Sequence, residues 1–312
     1  MFILFQSNPR KVTAVNPPPL CDISTNPDPY AILHNGKYYI YSTGWHGVNV
    51  LESDDMKTFV HKGFALQMEG HNGFWAPAVF FYKGLFYMYF SCEPGQFMKV
   101  AVSDNPLGPF EYKKTFYNEF SIDAHVVQKE GELWLIYAGK DFTGERGGTV
   151  VKIDKLLDPF TPAHYNQTII KPTIDEEIYA RNDLPDGGHH YCIEGGFYFE
   201  HEGIGYLMYS ANAYTHGDYF VGYCTIDAKE SFETAQFKKF PDDHTYAPLI
   251  GKDEWVTGCG HNSMITGPAG ELLIVYHGRP RSEALAVAGD GRQICVSEIK
   301  IIDGKLTLCE WV

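Results

Sequence analysis

The chain has 312 residues, of which 44 % are apolar and 15 % aromatic, so it can bury a full hydrophobic core. Its 39 acidic and 25 basic residues give a formal charge of −14, which argues against nucleic acid or an anionic membrane as a partner, because both attract basic proteins. No apolar run is long enough to span a bilayer, and residues 1–5 are too short a segment for a signal peptide. The seven cysteines include no Cys-x-x-Cys pair, which predicts reduced, mostly buried thiols and a cytoplasmic protein.

The predicted elements along the chain are short aromatic strands that follow tight turns. The first complete unit is NGKYYIYSTG at residues 35–44, and similar units begin at residues 83, 130, 202 and 269. Each unit has a turn glycine followed by an apolar strand that ends near a tyrosine. The glycines are Gly36, Gly84, Gly131, Gly203 and Gly270, and the tyrosines are Tyr41, Tyr89, Tyr137, Tyr209 and Tyr276. Long amphipathic helical periods are hard to find, so we predict an all-β protein.

Five units of this length predict a repeat architecture, and the number of strands in each unit favours the blades of a five-bladed β-propeller. We expect one domain over residues 1–312, with residues 1–20 as an N-terminal arm. Either this arm or residues 291–311 could complete the last sheet. The alternative is a two-sheet sandwich, in which hairpins also recur. The longer third and fourth spacings between the glycines predict insertions at residues 139–190 and 211–260.

One polar side chain precedes most of the turn glycines at a similar distance. Asp28 and Asp123 lie eight residues ahead of their glycines, and Glu194 and His261 lie nine residues ahead. The second unit has Trp75 and its neighbours in the same place. The first strand of every propeller blade lines the central axis. Equal offsets therefore predict that three carboxyl groups, a histidine and a tryptophan converge on one funnel.

These segments together resemble glycoside hydrolase family 43, a family of five-bladed propeller enzymes that cut arabinose and xylose linkages. The segments that carry the resemblance are NPDPY, FWAPAVFFYKGLFYMYFS, IDAHVV, IEGGFYF with GYLMYS, and GHNSMI, in that order from about residue 20 onwards. The resemblance implies that Asp28 is the general base, Asp123 the residue that modulates pKa values, and Glu194 the general acid. It also implies that His261 lies beside a bound calcium ion, and that Arg292 points at the sugar and at Asp123.

The chemistry of inverting hydrolysis fits this set of residues. An ionised carboxylate and a protonated carboxyl group must flank the sugar, about 6.5–9.5 Å apart, so that a water molecule fits between base and sugar. We expect Asp28 to be ionised, and we expect burial and the charge of Asp123 to keep Glu194 protonated. Arg292 would keep Asp123 ionised. Calcium prefers oxygen ligands, so an ion beside His261 would be held mostly through water; the alternative is a histidine bonded to a backbone carbonyl.

Further residues are predicted to contact the sugar. Phe74 and Trp75 form a stacking wall, or else belong to the core. His125 follows Asp123 by two residues, so regular alternation would place it on the same strand face as Asp123. His261 and Arg292 complete the predicted substrate-binding set.

The sequence therefore predicts an inverting, exo-acting glycoside hydrolase. It would release terminal α-L-arabinofuranosyl units, terminal β-D-xylosyl units, or both, from short oligosaccharides of plant cell walls, with the two insertions closing the pocket on one side. The alternatives are an endo-arabinanase and a non-catalytic propeller that binds sugars. No organic cofactor is expected, calcium is the candidate ion with sodium or water as the alternatives, and the oligomeric state is open.

Overall fold

Short antiparallel strands make up nearly all of the regular structure. The computed structural model describes residues 25–281 and 290–311, together with the backbone of residues 13–15. Within these ranges the only helix is a 3₁₀ turn at Asp175–Glu177, and no helix has the length and apolar character needed to cross a bilayer. The strands are β1 (Thr13–Val15), β2 (Tyr30–His34), β3 (Lys37–Ser42), β4 (Val48–Ser53), β5 (Val60–Leu66), β6 (Trp75–Tyr82), β7 (Leu85–Ser91), β8 (Lys99–Ser103), β9 (Glu111–Thr115), β10 (Ser121–Lys129), β11 (Glu132–Asp141), β12 (Gly148–Asp158), β13 (Thr161–Pro162), β14 (Gln167–Ile170), β15 (Ile178–Ala180), β16 (His190–His201), β17 (Ile204–Ala211), β18 (Phe220–Asp227), β19 (Lys238–Lys239), β20 (Val256–Thr266), β21 (Leu272–Pro280), β22 (Gln293–Ile302) and β23 (Lys305–Cys309).

The strands form five consecutive blades. Blade I contains β2–β5, blade II β6–β9, blade III β10–β12, blade IV β16–β19 and blade V β20–β22. Blades III and IV are joined into one sheet by a short parallel pairing of Gly148 and Thr149 with Tyr191 and Cys192. The protein is a five-bladed β-propeller, as predicted from the five repeats, and the sandwich alternative is wrong.

The hydrophobic core is a ring of five clusters, one between each pair of neighbouring blades. The clusters join blades I and II, II and III, III and IV, IV and V, and finally V and I, which closes the ring. In β3, Tyr39 and Tyr41 face blade II, whereas Tyr38 and Ile40 face blade V. Because both faces of such a strand are buried, its sequence is continuously apolar rather than alternating.

The turn glycines of the repeat end tight hairpins. Asn35 and Gly36 both have positive φ, at 50° and 78°, as a two-residue turn of type I′ requires. The turns at residues 83–84, 130–131 and 202–203 repeat this conformation. In blade V the hairpin instead spans the longer loop between Thr266 and Leu272, which accounts for the offset of nine residues between His261 and Gly270.

Both chain ends contribute to blade V. The strand β1 pairs with the first half of β22, from Thr13 opposite Val296 to Val15 opposite Ile294. The strand β23 forms a hairpin with the second half of β22. The two segments that the sequence offered as alternatives therefore share the outer edge of one sheet. The rest of the predicted arm, residues 1–12 and 16–20, lies outside the described residues.

The cysteines agree with the predicted thiol state. Six of them lie in the described part of the chain, all six are free, and five are buried. The cytoplasmic location inferred from the cysteine count stays a prediction.

Candidate active site

A left-handed residue interrupts the innermost strand or strand entry of every blade. These residues are Asp28 (φ 56°), Ala76 (φ 41°), Asp123 (φ 61°), Gly195 (φ 61°) and His261 (φ 51°). The strand pairing shifts at the last four of these positions, as at a β-bulge. A bulge turns a side chain away from its regular direction, and non-glycine residues adopt positive φ only where the surrounding structure holds them. The repeat thus aims one position of each blade at the axis.

A cavity of about 700 Å³ is lined by Asp28, Ala76, Asp123 and His261 of this set and by Glu194, the residue before Gly195, so that all five blades contribute to it. This volume is typical of a site for a small ligand. Six of the eight predicted site residues line it, namely Asp28, Trp75, Asp123, Glu194, His261 and Arg292. The three carboxyl groups, which are far apart in the sequence, therefore meet in one place.

Asp28 is a buried carboxylate held by ionic and polar contacts. Its Oδ1 lies 3.0 Å from Nη1 of Arg292 and 3.5 Å from Nδ1 of His261, and its Oδ2 accepts a hydrogen bond of 2.7 Å from the hydroxyl of Thr43. The buried Nδ1 of His277 lies 3.2 Å from both Oδ1 and the backbone nitrogen. Burial alone would raise the pKa of Asp28, but Arg292, His261 and His277 outweigh it and hold the pKa well below its usual value. Asp28 is therefore ionised.

Arg292 makes its direct contact with Asp28, whereas it acts on Asp123 only as a minor effect of its charge. Its Nε and Nη2 donate to the carboxylate of Asp290 at 2.8 and 2.6 Å, and its guanidinium lies 4.7 Å from the ring centre of Tyr214. The remaining arm, Nη1, reaches Asp28. The prediction that Arg292 points at Asp123 and keeps it ionised is therefore wrong: the rigid fork of the guanidinium is already committed to Asp290 and Asp28.

Glu194 lies at the bulge of β16 on the opposite part of the ring from blade I. Its Oε1 accepts a hydrogen bond of 2.8 Å from the hydroxyl of Tyr219, and its Oε2 lies 3.4 Å from Sγ of Cys192. Burial raises the pKa of Glu194, and the charge of Asp28 adds to this, although Tyr219 and His261 act in the opposite direction. A carboxyl group with a raised pKa can keep its proton near neutral pH and donate it.

Asp123 is a buried acid with Nδ1 of His261 4.0 Å from its Oδ2. Its Oδ2 accepts a hydrogen bond of 3.1 Å from the backbone nitrogen of Gly195, next to Glu194. Burial, followed by the charges of Glu194 and Asp28, raises the pKa of Asp123 well above its usual value. Two neighbouring buried carboxyl groups cannot both ionise easily, so Asp123 and Glu194 titrate as a pair that retains a proton.

His261 lies between two of the acids. Its Nδ1 is 3.5 Å from Asp28 and 4.0 Å from Asp123. Calcium requires six to eight oxygen ligands, whereas no cluster of three or more His, Cys, Asp or Glu side chains suited to a metal occurs among the described residues. The side chains around His261 therefore do not by themselves fit a calcium site. Calcium stays a prediction and has no part in the reaction proposed below.

Two predicted sugar contacts do not reach the cavity. Phe74 is fully buried in the cluster between blades I and II, where its ring stacks on Phe90. Of the two aromatic residues of the predicted stacking wall, Trp75 alone lines the cavity. Phe74 is therefore a core residue, which was the alternative left open by the sequence.

His125 is also buried below the site. Its Nε2 lies 2.9 Å from the carbonyl of Tyr198 and its Nδ1 lies 2.9 Å from the hydroxyl of Tyr30, and burial lowers its pKa to about 4. The prediction assumed regular alternation after Asp123. The bulge between Ile122 and His125 breaks that alternation, so His125 turns towards the core.

Several residues of the site were missed by the sequence reasoning. Thr43 and His277 hold Asp28, Tyr219 and Cys192 contact Glu194, and the half-exposed Trp45 lines the cavity. The position of His277 in the repeat could have marked it as a candidate, because it directly follows Tyr276, the tyrosine of the fifth repeat. Ser210 follows the tyrosine of the fourth repeat, and its hydroxyl accepts a hydrogen bond of 2.7 Å from the backbone nitrogen of His261.

Two carboxyl groups that line one cavity and have oppositely shifted pKa values are the pair that glycoside hydrolysis requires. Comparison with known proteins agrees with this class: the model of glycosyl hydrolases family 43 matches residues 23–306. The chain belongs to glycosyl hydrolases family 43.

Individual relatives differ in their activities. The chain is 25 % identical over 308 residues to a β-D-galactofuranosidase of Aspergillus niger, covering 87 % of this chain and 78 % of that protein. It is 26 % identical over 231 residues to an extracellular exo-α-(1→5)-L-arabinofuranosidase of Streptomyces chartreusis, covering 69 % of this chain and 65 % of that protein. Among solved structures, a thermostable family-43 glycoside hydrolase superimposes with a TM-score of 0.77 at 27 % identity, over 94 % of this chain and 96 % of that chain.

Proposed function

We propose that the protein is an inverting, exo-acting glycoside hydrolase that releases terminal α-L-arabinofuranosyl or β-D-xylosyl units, or both, from short plant cell-wall oligosaccharides. The observation that carries this proposal is that two carboxyl groups lining one cavity have pKa values shifted in opposite directions. Arg292 holds the pKa of Asp28 well below its usual value, whereas burial raises the pKa of Glu194. One group can therefore accept a proton while the other donates one.

In the proposed reaction, a water molecule attacks the anomeric carbon of the terminal sugar. Asp28 takes one proton from this water as the new carbon–oxygen bond forms. The glycosidic bond breaks on the opposite side of the ring, and Glu194 gives its proton to the departing oxygen. The products are a free sugar with inverted anomeric configuration and a shortened oligosaccharide, and the two carboxyl groups then regain their starting states by exchange with solvent.

Asp123 and Trp75 have supporting roles in this proposal. Asp123 and Glu194 are neighbouring buried acids that titrate as a pair, so ionisation of Asp123 would favour the protonated form of Glu194. Trp75 lines the cavity at the start of β6 and offers an aromatic face to the sugar ring.

The exo assignment is supported by the walls of the cavity. Tyr179 and His190, which belong to the insertion between the third and fourth repeats, line the cavity, and so does Tyr214 from the next insertion. Trp45 of blade I lines it as well. A cavity lined by two insertions in addition to the blades suits a chain end better than the middle of a polymer. The relatives include the exo-acting arabinofuranosidase named above. They also include a putative β-xylosidase of Xylanibacter ruminicola, which is 34 % identical over 95 residues that cover 27 % of this chain and 18 % of that protein.

The test is hydrolysis of aryl α-L-arabinofuranoside, aryl β-D-xyloside and aryl β-D-galactofuranoside by the wild type, Asp28→Asn and Glu194→Gln. We expect turnover of one or both of the first two by the wild type, and a loss of several orders of magnitude in Asp28→Asn. Absence of turnover on all three sugars, with binding seen by calorimetry, would favour a non-catalytic sugar-binding propeller. Turnover of the galactofuranoside alone would replace the proposed substrates.

A product profile on linear arabinan separates exo from endo action. Release of monosaccharide from the start of the reaction supports exo action. Release of short oligomers before any monosaccharide would make the protein an endo-arabinanase.

A further inference from the structure

Glu194 has two polar partners of unequal strength. The hydroxyl of Tyr219, whose side chain is 1 % exposed, donates to Oε1 at 2.8 Å. The thiol of Cys192, two residues before Glu194 on β16, lies 3.4 Å from Oε2. A phenolic hydroxyl is a good donor and a thiol a weak one. The two oxygens of the carboxyl group are therefore in different environments.

The ring of Tyr219 is fixed by an unusually close approach to β20. A Cβ atom at Gly260 would lie 1.9 Å from a carbon of the Tyr219 ring, so any other residue at position 260 would displace the tyrosine. On another side the ring lies nearly parallel to that of His277, with 5.7 Å between centroids and 4° between planes. Because His277 also contacts Asp28, one packed unit supports both the proposed base and the proposed acid.

The direction of the Tyr219 hydrogen bond decides which oxygen of Glu194 carries the proton. An oxygen that accepts a hydrogen bond from Tyr219 uses a lone pair and is a poor place for the acidic proton. The proton then resides on Oε2, where the competing thiol is weak. We propose that Tyr219 is a positioning residue that holds Glu194 by Oε1 and directs its transferable proton to Oε2, with Gly260 providing the space for the ring. This inference rests on the proposed acid role of Glu194.

The hydroxyl also affects the pH at which Glu194 loses its proton. Hydrogen bonding from Tyr219 favours the charged form of Glu194 and so lowers its pKa, against the larger effect of burial. Removal of the hydroxyl would let Glu194 keep its proton to higher pH. The titratable groups that face Glu194 are Tyr219, Cys192, His261, Asp28, Asp123 and Tyr179.

The experiment compares Tyr219→Phe with the wild type on two substrates that release different leaving groups. Departure of a sugar from an oligosaccharide needs the acid, whereas departure of dinitrophenolate from an activated aryl glycoside does not. We expect kcat on the oligosaccharide to fall about tenfold or more, as for a displaced catalytic group, while kcat on the activated glycoside stays within about twofold of the wild type. The basic limb of the kcat/KM profile should move to higher pH.

Tyr206→Phe is the matched control. Tyr206 is equally buried in blade IV, and its hydroxyl donates to the carbonyl of Gly304 at 2.9 Å, away from the cavity. If both variants unfold at similar temperatures, a difference in leaving-group dependence reports positioning and not general stability. Tyr219→Phe with the leaving-group dependence and basic limb of the wild type would overturn the inference.

The variant Glu194→Gln distinguishes an error in the inference about Tyr219 from an error in the proposed function. If Glu194→Gln loses activity on the oligosaccharide but Tyr219→Phe does not, only the inference about Tyr219 is wrong. If Glu194→Gln keeps near-normal activity on the oligosaccharide, the acid role itself is wrong.

Discussion

Arg292→Met tests the physical origin of the charge on Asp28. In the wild type, Nη1 of Arg292 lies 3.0 Å from Oδ1 of Asp28, and both side chains are almost completely buried. At this distance the Coulomb energy is about 5 kcal/mol for an effective dielectric constant of about 20. Measured losses for breaking one partner of a buried ion pair are about 3–5 kcal/mol. The variant should therefore be clearly less stable at neutral pH, or protonate Asp28 to avoid a buried unpaired charge.

The sign of the pH dependence follows from the pKa of Asp28, which lies below its value in the unfolded chain. In the wild type the charged Asp28 contributes stability above the unfolded-state pKa of about 4, and this contribution is lost as the pH falls through the folded-state pKa. Arg292→Met removes the largest effect that opposes burial, so the pKa of Asp28 rises. The acidic limb of kcat/KM, which reports the base, should move to higher pH.

The assay is kcat/KM on an aryl glycoside from acidic to alkaline pH, with the free energy of unfolding measured by denaturant at the same pH values. Arg279→Met is the matched control, because Arg279 also pairs with Asp290, at 3.0 Å, but directs its other donor to the carbonyl of Tyr214 and not to Asp28. We expect Arg279→Met to retain the acidic limb of the wild type. An unchanged acidic limb in Arg292→Met would refute the assignment of Arg292 as the group that keeps Asp28 ionised.

Three further predictions concern other parts of the molecule. Asp123→Asn should lower kcat. It should also raise the melting temperature more at pH 8 than at pH 5, because the pKa of Asp123 is raised in the folded protein and its contribution to stability is therefore lost as the pH rises. An equal change of the melting temperature at both pH values would contradict this. Trp45→Ala should raise KM about tenfold with little change in kcat, as expected for lost sugar stacking, whereas Trp255→Ala, half-exposed and outside the cavity, should leave KM unchanged. Lys239→Met should destabilise the fold by about 3–5 kcal/mol, because it removes the cation that lies 2.5 Å from the fully buried Glu177. Adding Glu177→Gln should restore part of the free energy of unfolding measured with denaturant. Absence of this recovery would disprove the pairing.

The architecture could be predicted because the repeat is directly visible in the sequence. The turn glycines require a left-handed conformation, and the apolar strands after them are buried on both faces, so both leave a pattern of residue types. The offset of Asp28 and Asp123 from these glycines, eight residues in each case, predicted that the acids meet. The structure adds that the matching position in blade II is Ala76, and in blade IV Gly195, one residue after Glu194.

The partners of the acids could not be predicted in the same way. Bulges at Asp123 and at Gly195 break the alternation from which side-chain directions are inferred. The first of these bulges is the reason why the predicted direction of His125 was wrong. Arg292 was assigned to the wrong carboxylate because a contact between residues 264 positions apart depends on how blades I and V meet, which no local pattern records. Tyr219 was missed because the space that it fills is created by a glycine on another blade.

The configuration of the first sugar released is the most direct test of the central claim that Asp28 activates water while Glu194 protonates the leaving group. The measurement is ¹H NMR of the anomeric proton during the first minutes of hydrolysis of an aryl glycoside by the wild-type enzyme. We expect the sugar to appear first with inverted configuration and to equilibrate only later by mutarotation. A first product of retained configuration would contradict it, because Asp28 would then act as a nucleophile on the sugar.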